Sequence, residues 1–328
     1  MTRIDSGKIE KFSRKMNELK EEVGKVVYGQ KDVVETVVKS VACDGHTLLE
    51  GVPGTGKTLM ILTLSQIIEN AESQRIQFTP DLLPSDITGT TIYRENKGFE
   101  VKKGPIFSNI IAADEINRTP PKVQSSMLQA MQEREVTIGK ETHKLPNLFI
   151  VIATQNPLET KGIYPLPEAQ IDRFLFKLDV EYSPRKEEKK IIEQNMEVKD
   201  FDYYNLENVM KKSEVLELQE LVPQLNSSDE IKKYIVNIVN ATRNPEDFNI
   251  SYGKYVQWGG SPRATIFLNL AGKANALMNG RDYVTPEDVR EIAYPVLRHR
   301  IILNYEGKAE KVDKDNIIDE VLSNVPVV

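Results

Sequence analysis

One cysteine, one tryptophan and three histidines in 328 residues leave several chemistries without material. A lone Cys43 cannot close an intrachain disulfide, so the simple inference is a reducing, cytoplasmic setting in which Cys43 is a small buried apolar residue. His46, His143 and His299 are scattered and lack the spacing of a metal site. No apolar run approaches the roughly 18–20 residues a membrane span needs. The N-terminal stretch MTRIDSGKIEKFSRKMNELKEE is charged throughout and has no apolar centre of the signal-peptide kind. There is no repeat and no low-complexity tract. Basic charge is short as well: 43 Lys and Arg stand against 49 Asp and Glu, for a formal net charge of −6. Nucleic-acid binding rests on phosphate neutralisation by Lys and Arg. The acidic balance therefore argues against nucleic acid as a partner and leaves room only for a local basic patch.

What is present is ordinary for a globular protein: 40% hydrophobic and 28% charged residues, in a length that suits one large or two medium domains. Apolar positions at helical spacing mark residues 8–22 and 30–42. Short apolar runs follow at Thr47–Glu50, Arg75–Phe78, Asn109–Ala113, Leu148–Ala153 and Phe174–Asp179, with helical stretches such as Leu59–Asn70 and Pro121–Arg134 between them. Strand alternating with helix predicts an α/β fold, a doubly wound and largely parallel sheet. Two segments, 91–101 and 136–145, alternate around turn residues and predict inserted β-hairpins. Beyond residue 183 strand signals fade, and helical patterns run over 185–197, 206–220, 228–242, 263–279 and 286–298. The expected organisation is an α/β domain over 1–182 and a smaller helical domain over 183–328.

The most specific signal is Gly51-Val52-Pro53-Gly54-Thr55-Gly56-Lys57-Thr58. Glycine, four residues, then Gly-Lys-Thr is the P-loop pattern, here with an apolar strand before it and a helical run after it. Glycines let the backbone curl so that its N–H groups face phosphates, and a helix N-terminus adds positive potential. Lys57 is then the cation for the outer phosphates, and the Thr58 hydroxyl a ligand of Mg2+. The motif implies a nucleoside triphosphate, not what is done with it. About 55 residues on, an apolar run ends in Asp114-Glu115. Such a pair by itself is as readily a helix cap. Following a P-loop on a separate strand, it fits a Walker-B pair, with Asp114 holding Mg2+ through its water shell and Glu115 polarising the attacking water.

Five stretches taken together resemble the MoxR branch of the AAA+ ATPases, in the helix-2-insert clade related to the magnesium-chelatase-like ATPases. They are IQFTPDLLPSDITGT (76–90), ADEINRTPPKVQSSMLQAMQEREVTIG (113–139), IATQNPLETKGIYPLPEAQIDRF (152–174), GGSPRA (259–264) and GRDYVTPEDVREIAYPVLRHR (280–300). They span most of the chain in family order, and Gly260 is a slight departure from the commoner GASPRA. The resemblance implies an AAA+ core with a helical lid, and ATP hydrolysed to ADP and phosphate. It assigns Asn156 as sensor 1, Arg173 as the arginine finger that serves a neighbouring subunit, and Arg263 as the lid arginine, sensor 2. It places Gly29 and Gln30 beside the adenine, and asks for a polar residue to orient Glu115, for which Gln77 and Thr79 both qualify. It further implies a homo-oligomeric ring, most often a hexamer, a von Willebrand factor A-domain partner, and chaperone-like remodelling or maturation of a client protein. Two alternatives stay open at this point: a nucleotide-gated binding module in which hydrolysis is incidental, and a DNA-directed AAA+ motor, which the acidic balance disfavours. Trp258 reads as core or lid packing.

Overall fold

The computed structural model of the chain describes residues 4–95, 98–158, 162–194 and 201–327. The chain forms two compact units, neither of them one continuous stretch. One comprises Glu18–Phe174 and Leu178–Glu217; the other comprises the chain up to Asn17, Leu175–Lys177, and Leu218 onward.

The first unit holds β1 (Thr47–Glu50), β2 (Ser73–Gln77), β3 (Ile110–Asp114) and β4 (Ile150–Gln155) of a five-stranded sheet, with Leu178 and Asp179 of its remaining strand β5 (Phe176–Asp179); the strand order is β5-β1-β4-β3-β2. The β1–β4, β4–β3 and β3–β2 pairings are all parallel. Interior strands of such a sheet are covered on both faces and need continuous apolar runs. The Ile-Ile-Ala-Ala-Asp of β3 and the Ile-Val-Ile-Ala-Thr of β4 are accordingly buried. At the edge, β2 carries Ser73, Gln74 and Arg75 and is buried only at Ile76. The register sets Glu50 beside Gln155, Leu49 beside Thr154, and Gln77 beside Asp114. Polar residues therefore collect at the carboxyl ends of the strands, the edge at which open α/β sheets bind ligands. Leu48, Phe78, Ile111, Met127, Leu128, Phe149, Val151 and Phe174 belong to the core that holds this edge in place.

Two antiparallel hairpins accompany the sheet, Gly89–Arg94 with Gly98–Lys103 and Glu135–Ile138 with Glu141–Lys144. The helix that the sequence extends to Asn70 stops at Gln66, and the one expected from 206 starts at Lys212. One feature accounts for both: Ile68–Glu69 and Met210–Lys211 pair as a parallel two-residue ladder, too short to leave an alternation in the sequence. The helix Arg185–Gln194 follows its pattern, and the expected continuation over 195–197 lies outside the described residues.

The second unit is mostly helical. Helices Asp229–Arg243, Pro262–Met278, Pro286–Leu297 and Lys314–Asn324 start at the caps Ser228, Ser261, Thr285 and Asp313, each accepting a hydrogen bond from a first-turn amide. Thr285 and Asp288 form a reciprocal capping box, and the buried Asp288 is also forked by Arg281 at 2.6 and 2.7 Å. The helix Ser6–Gly24 contributes Ser13 and Asn17, which both donate to the Met278 carbonyl. Trp258 departs from expectation: it lies on a short strand paired with Ile302–Leu303, and 65% of it is exposed. Among the described residues no helix is long and apolar enough to cross a membrane.

Candidate functional site

The loop 51–56 leaves β1 and ends at Gly56, which caps the helix Lys57–Gln66 in a left-handed conformation. Gly54 and Gly56 have φ of +84° and +80°, values that residues with a side chain rarely adopt. Gly51 is constrained differently: a β-carbon there would stand 2.3 Å from the Val180 carbonyl oxygen. The Lys57 ammonium closes the loop from within, donating to the carbonyls of Gly51 (2.8 Å) and Val52 (2.6 Å) and to the Thr55 hydroxyl (3.2 Å). Burial lowers the pKa of Lys57, and the carboxylates of Asp114 and Glu115 pull it back upward.

Asp114, the last residue of β3, is the meeting point. Thr58 Oγ1 donates to its Oδ2 at 3.1 Å, Arg75 donates to the same oxygen through Nη2 (2.7 Å) and Nε (3.2 Å), and Thr154 Oγ1 donates to Oδ1 at 2.5 Å. Burial pushes this carboxyl up. The hydrogen bonds from Thr154, Arg75 and Thr58 outweigh it, and the net position lies below the usual carboxylate range. Glu115 takes a left-handed backbone, φ +57° and ψ +49°, so the chain turns sharply out of the sheet. Its Oε2 accepts from Gln77 Nε2 at 2.9 Å and from Arg118 Nη1 at 2.7 Å. Arg75 in turn donates to Gln77 Oε1 at 2.8 Å, so the two carboxylates are linked by one polar chain.

The structure thus brings together Gly51 to Thr58, Asp114 and Glu115. Asn156 follows β4 and is buried; its Oδ1 accepts from the Leu158 amide at 3.0 Å, shaping the turn around Pro157. Arg173 follows the short helix Glu168–Ile171, and its buried Nε finds no hydrogen-bond partner among the described residues. Gly29, with φ +77°, and Gln30 sit against the segment after β5: Gln30 Nε2 donates to the Glu181 carbonyl at 2.6 Å, and Ser183 Oγ donates to the Tyr28 carbonyl at 2.8 Å. Arg263 lies in the helical unit, in the first turn of Pro262–Met278. Of the two candidates for orienting Glu115, Gln77 is the one in contact, whereas the hydroxyl of Thr79 serves Asp81. Sequence reasoning missed Arg75, Arg118 and Thr154. Only Thr154 left a signal, as a polar residue at the end of the otherwise apolar run Ile150–Ala153.

Among the described residues no cluster of three or more His, Cys, Asp or Glu is placed to hold a metal by itself. A hydroxyl and a carboxylate beside a phosphate loop are instead the set from which P-loop proteins build a metal site shared with the nucleotide.

Comparison with known proteins agrees with this geometry. Residues 46–176 match the model of the ATPase family associated with various cellular activities, and residues 253–321 match the AAA lid domain. The chain is 44% identical over 306 residues to the chaperone MoxR1 of Mycobacterium tuberculosis, covering 93% of this chain and 80% of that one. It is 44% identical over 308 residues to YeaC of Bacillus subtilis, covering 94% and 93% of the two chains. A solved structure of a candidate ATPase from Cytophaga hutchinsonii superposes with a TM-score of 0.90 at 46% identity, covering 98% of this chain and 97% of that one. With a parallel sheet bearing this loop, a lid-type helical unit and relatives aligned along nearly the whole length, the chain belongs to the MoxR family of AAA+ ATPases.

Proposed function

We propose that this protein hydrolyses ATP to ADP and phosphate with Mg2+, as a ring of identical subunits that remodels or activates partner proteins. The observation that carries the reading is the pairing of Thr58 Oγ1 with Asp114 Oδ2, 3.1 Å apart, beside a glycine loop that opens a helix. The residues suit the nucleotide and its metal. A β-carbon added at Gly54 would meet nothing within 4 Å, so the loop is open on that side. A hydroxyl and an ionised carboxylate are the hard oxygen donors that Mg2+ takes. When bound, Mg2+ neutralises the phosphate oxygens and fixes their orientation.

The chain's own residues divide the remaining work. Lys57, already held inside the loop, exchanges loop carbonyls for phosphate oxygens. Glu115 orients and polarises the attacking water once Gln77 and Arg118 release it, and Asn156 helps place that water. Gly29 and Gln30 flank the base. Arg173 serves the nucleotide of a neighbouring subunit; a buried guanidinium nitrogen with no partner of its own among the described residues supports that assignment. Arg263 is the lid arginine of the same reaction. The Mycobacterium tuberculosis relative is named a chaperone, which supports a protein client; in this proposal the two hairpins transmit the motion to that client, and a von Willebrand factor A-domain protein is the partner.

Two variants test the proposal, read by nucleotide titration and by phosphate release. Lys57→Ala should lose at least tenfold in ATP affinity, the worth of a hydrogen bond between charged groups. Glu115→Gln should bind ATP as the parent does and turn over about 10²–10⁴-fold more slowly, the usual span for a lost general base. Purified, Mg2+-replete protein without affinity for any purine triphosphate, in any oligomeric form, ends the proposal.

A further inference from the structure

The structure assigns to Thr154 the task of fixing both acidic residues of the site at once, a positioning role that rests on the ATPase reading above. Thr154 lies on β4, 1% exposed to solvent, across the sheet ladder from Leu49. Its hydroxyl accepts from the backbone N–H of Glu115 at 2.9 Å and donates to Oδ1 of Asp114 at 2.5 Å. The order of these two bonds is forced. An amide can only donate, so the hydroxyl proton is left for the carboxylate, and the carboxylate can only accept when ionised.

Each bond meets a specific need. The β3–β4 ladder pairs Ala113 with Ala153 as its last step, and β3 ends one residue later. The Glu115 amide therefore leaves the sheet with no strand partner, in a left-handed conformation uncommon for a residue with a side chain. A buried N–H without an acceptor is strongly disfavoured, and the Thr154 hydroxyl supplies one. On the other side, engaging Oδ1 of Asp114 holds the carboxylate so that Oδ2 faces the Thr58 hydroxyl. Other threonines of this unit do something simpler: Thr36, Thr63 and Thr88 donate to carbonyls four residues back in their own helices. Thr154 instead reaches to the next strand, and one oxygen sets both the face that Asp114 offers to a metal and the direction in which Glu115 leaves the strand.

The test compares Thr154→Val, which keeps the shape and removes both hydrogen bonds, with Thr154→Ser, which keeps the hydroxyl. Binding of a fluorescent, non-hydrolysable ATP analogue is measured in EDTA and then along a Mg2+ titration, with phosphate release followed separately. The valine variant should keep its EDTA affinity within about twofold, need about tenfold more Mg2+ for half-maximal tightening, and turn over at least tenfold more slowly. Serine should return both values to within about threefold of the parent. If the valine chain does not fold, Thr154→Ala carries the same comparison with the same expectations. A valine or alanine variant with the parent's Mg2+ requirement and turnover overturns the assignment, as does a serine variant no better than valine, which would make the methyl group the working part. A parent chain that binds no analogue under any condition refutes the ATPase reading itself, whereas a parent that responds to Mg2+ beside a valine variant that responds identically refutes Thr154 alone.

Discussion

His46 should make the α/β unit lose stability as the solution becomes acidic, well before its carboxylates are protonated. The imidazole is buried. Its Nδ1 accepts from the Val151 amide at 3.0 Å, which leaves Nε2 to carry the proton and face the Met131 carbonyl at 3.3 Å. The ring makes a T-shaped contact with Phe149, and the Arg134 guanidinium lies over that same phenylalanine ring. A second proton would have to sit on Nδ1, pointing at an N–H. Burial first, and the Arg134 charge second, lower the pKa from 6.5 to about 3. The sign follows from proton counting. Between these two values the unfolded chain holds a proton that the folded chain refuses, so stability present above pH 6.5 drains away as pH falls toward 3, at about 1.4 kcal/mol per unit. From pH 7 to pH 5 that amounts to about 2 kcal/mol, a large share of a typical domain's stability. Other groups titrate too, among them Asp44, whose carboxyl burial raises against the pull of Arg134. The comparison that isolates the histidine is His46→Asn, whose Oδ1 can take the Val151 N–H but cannot titrate. Chemical denaturation followed by circular dichroism at pH 7, 6 and 5 should show the parent losing about 2 kcal/mol more than the variant over that range. Equal losses, within a few tenths of a kcal/mol, would refute the reasoning, as would a ring proton resonance of His46 that titrates near 6.5.

Mixed assemblies test where Arg173 acts: Arg173→Ala and Lys57→Ala subunits, each inactive when pure, should recover part of the phosphate release when combined, because some interfaces then hold an intact Lys57 against an intact Arg173. No activity at any ratio, in rings shown by mass spectrometry to be mixed, counts against action across an interface. Gly51→Ala should lower stability by about 1–3 kcal/mol and weaken nucleotide binding, since its β-carbon would stand 2.3 Å from the Val180 carbonyl oxygen and the loop must shift. A variant that melts with the parent and binds equally well would mean that the strand end yields instead.

What could be read from the sequence was whatever is local or uniformly buried. The loop 51–58 is legible because its chemistry lies in eight consecutive residues. Strands β3 and β4 are legible because burial on both faces leaves an unbroken apolar run. What escaped depends on register. Arg75 and Thr154 meet Asp114 only because β2, β3 and β4 lie side by side with their ends aligned, and the partners are 39 and 40 residues apart in the chain. The choice between Gln77 and Thr79 has the same origin. Pairing of Gln77 with Asp114 puts its amide next to Glu115, while Thr79 lies past the end of the strand. A two-residue ladder such as Ile68–Glu69 with Met210–Lys211 joins segments some 140 residues apart, and no window on the sequence spans them. Trp258 was misplaced for a plainer reason: a large apolar residue is a good core candidate on average, and averages do not decide single positions.

Charge shows the same gap between average and place, and here it bears on function. The chain carries a formal net charge of −6, yet the site sets three cations, Lys57, Arg75 and Arg118, against Asp114 and Glu115. The Arg75 and Arg118 side chains are 51% and 41% exposed, whereas that of Asp114 is only 10% exposed. Ion pairs with a partner that open to water are worth about 0–1 kcal/mol, so the arginines are loosely held. A buried carboxylate stripped of partners is disfavoured far more strongly. The two arginines therefore keep the acidic pair partnered, and part with it at small cost once a stronger partner arrives. Any such partner must bring positive charge to Asp114 and negative charge to Lys57 together, which a polyphosphate with its divalent cation does and a phosphate alone does not. On this argument nucleotide without Mg2+ should bind weakly and leave the Arg75–Asp114 pair intact, Mg2+ should tighten it, and that tightening should shrink in Asp114→Asn.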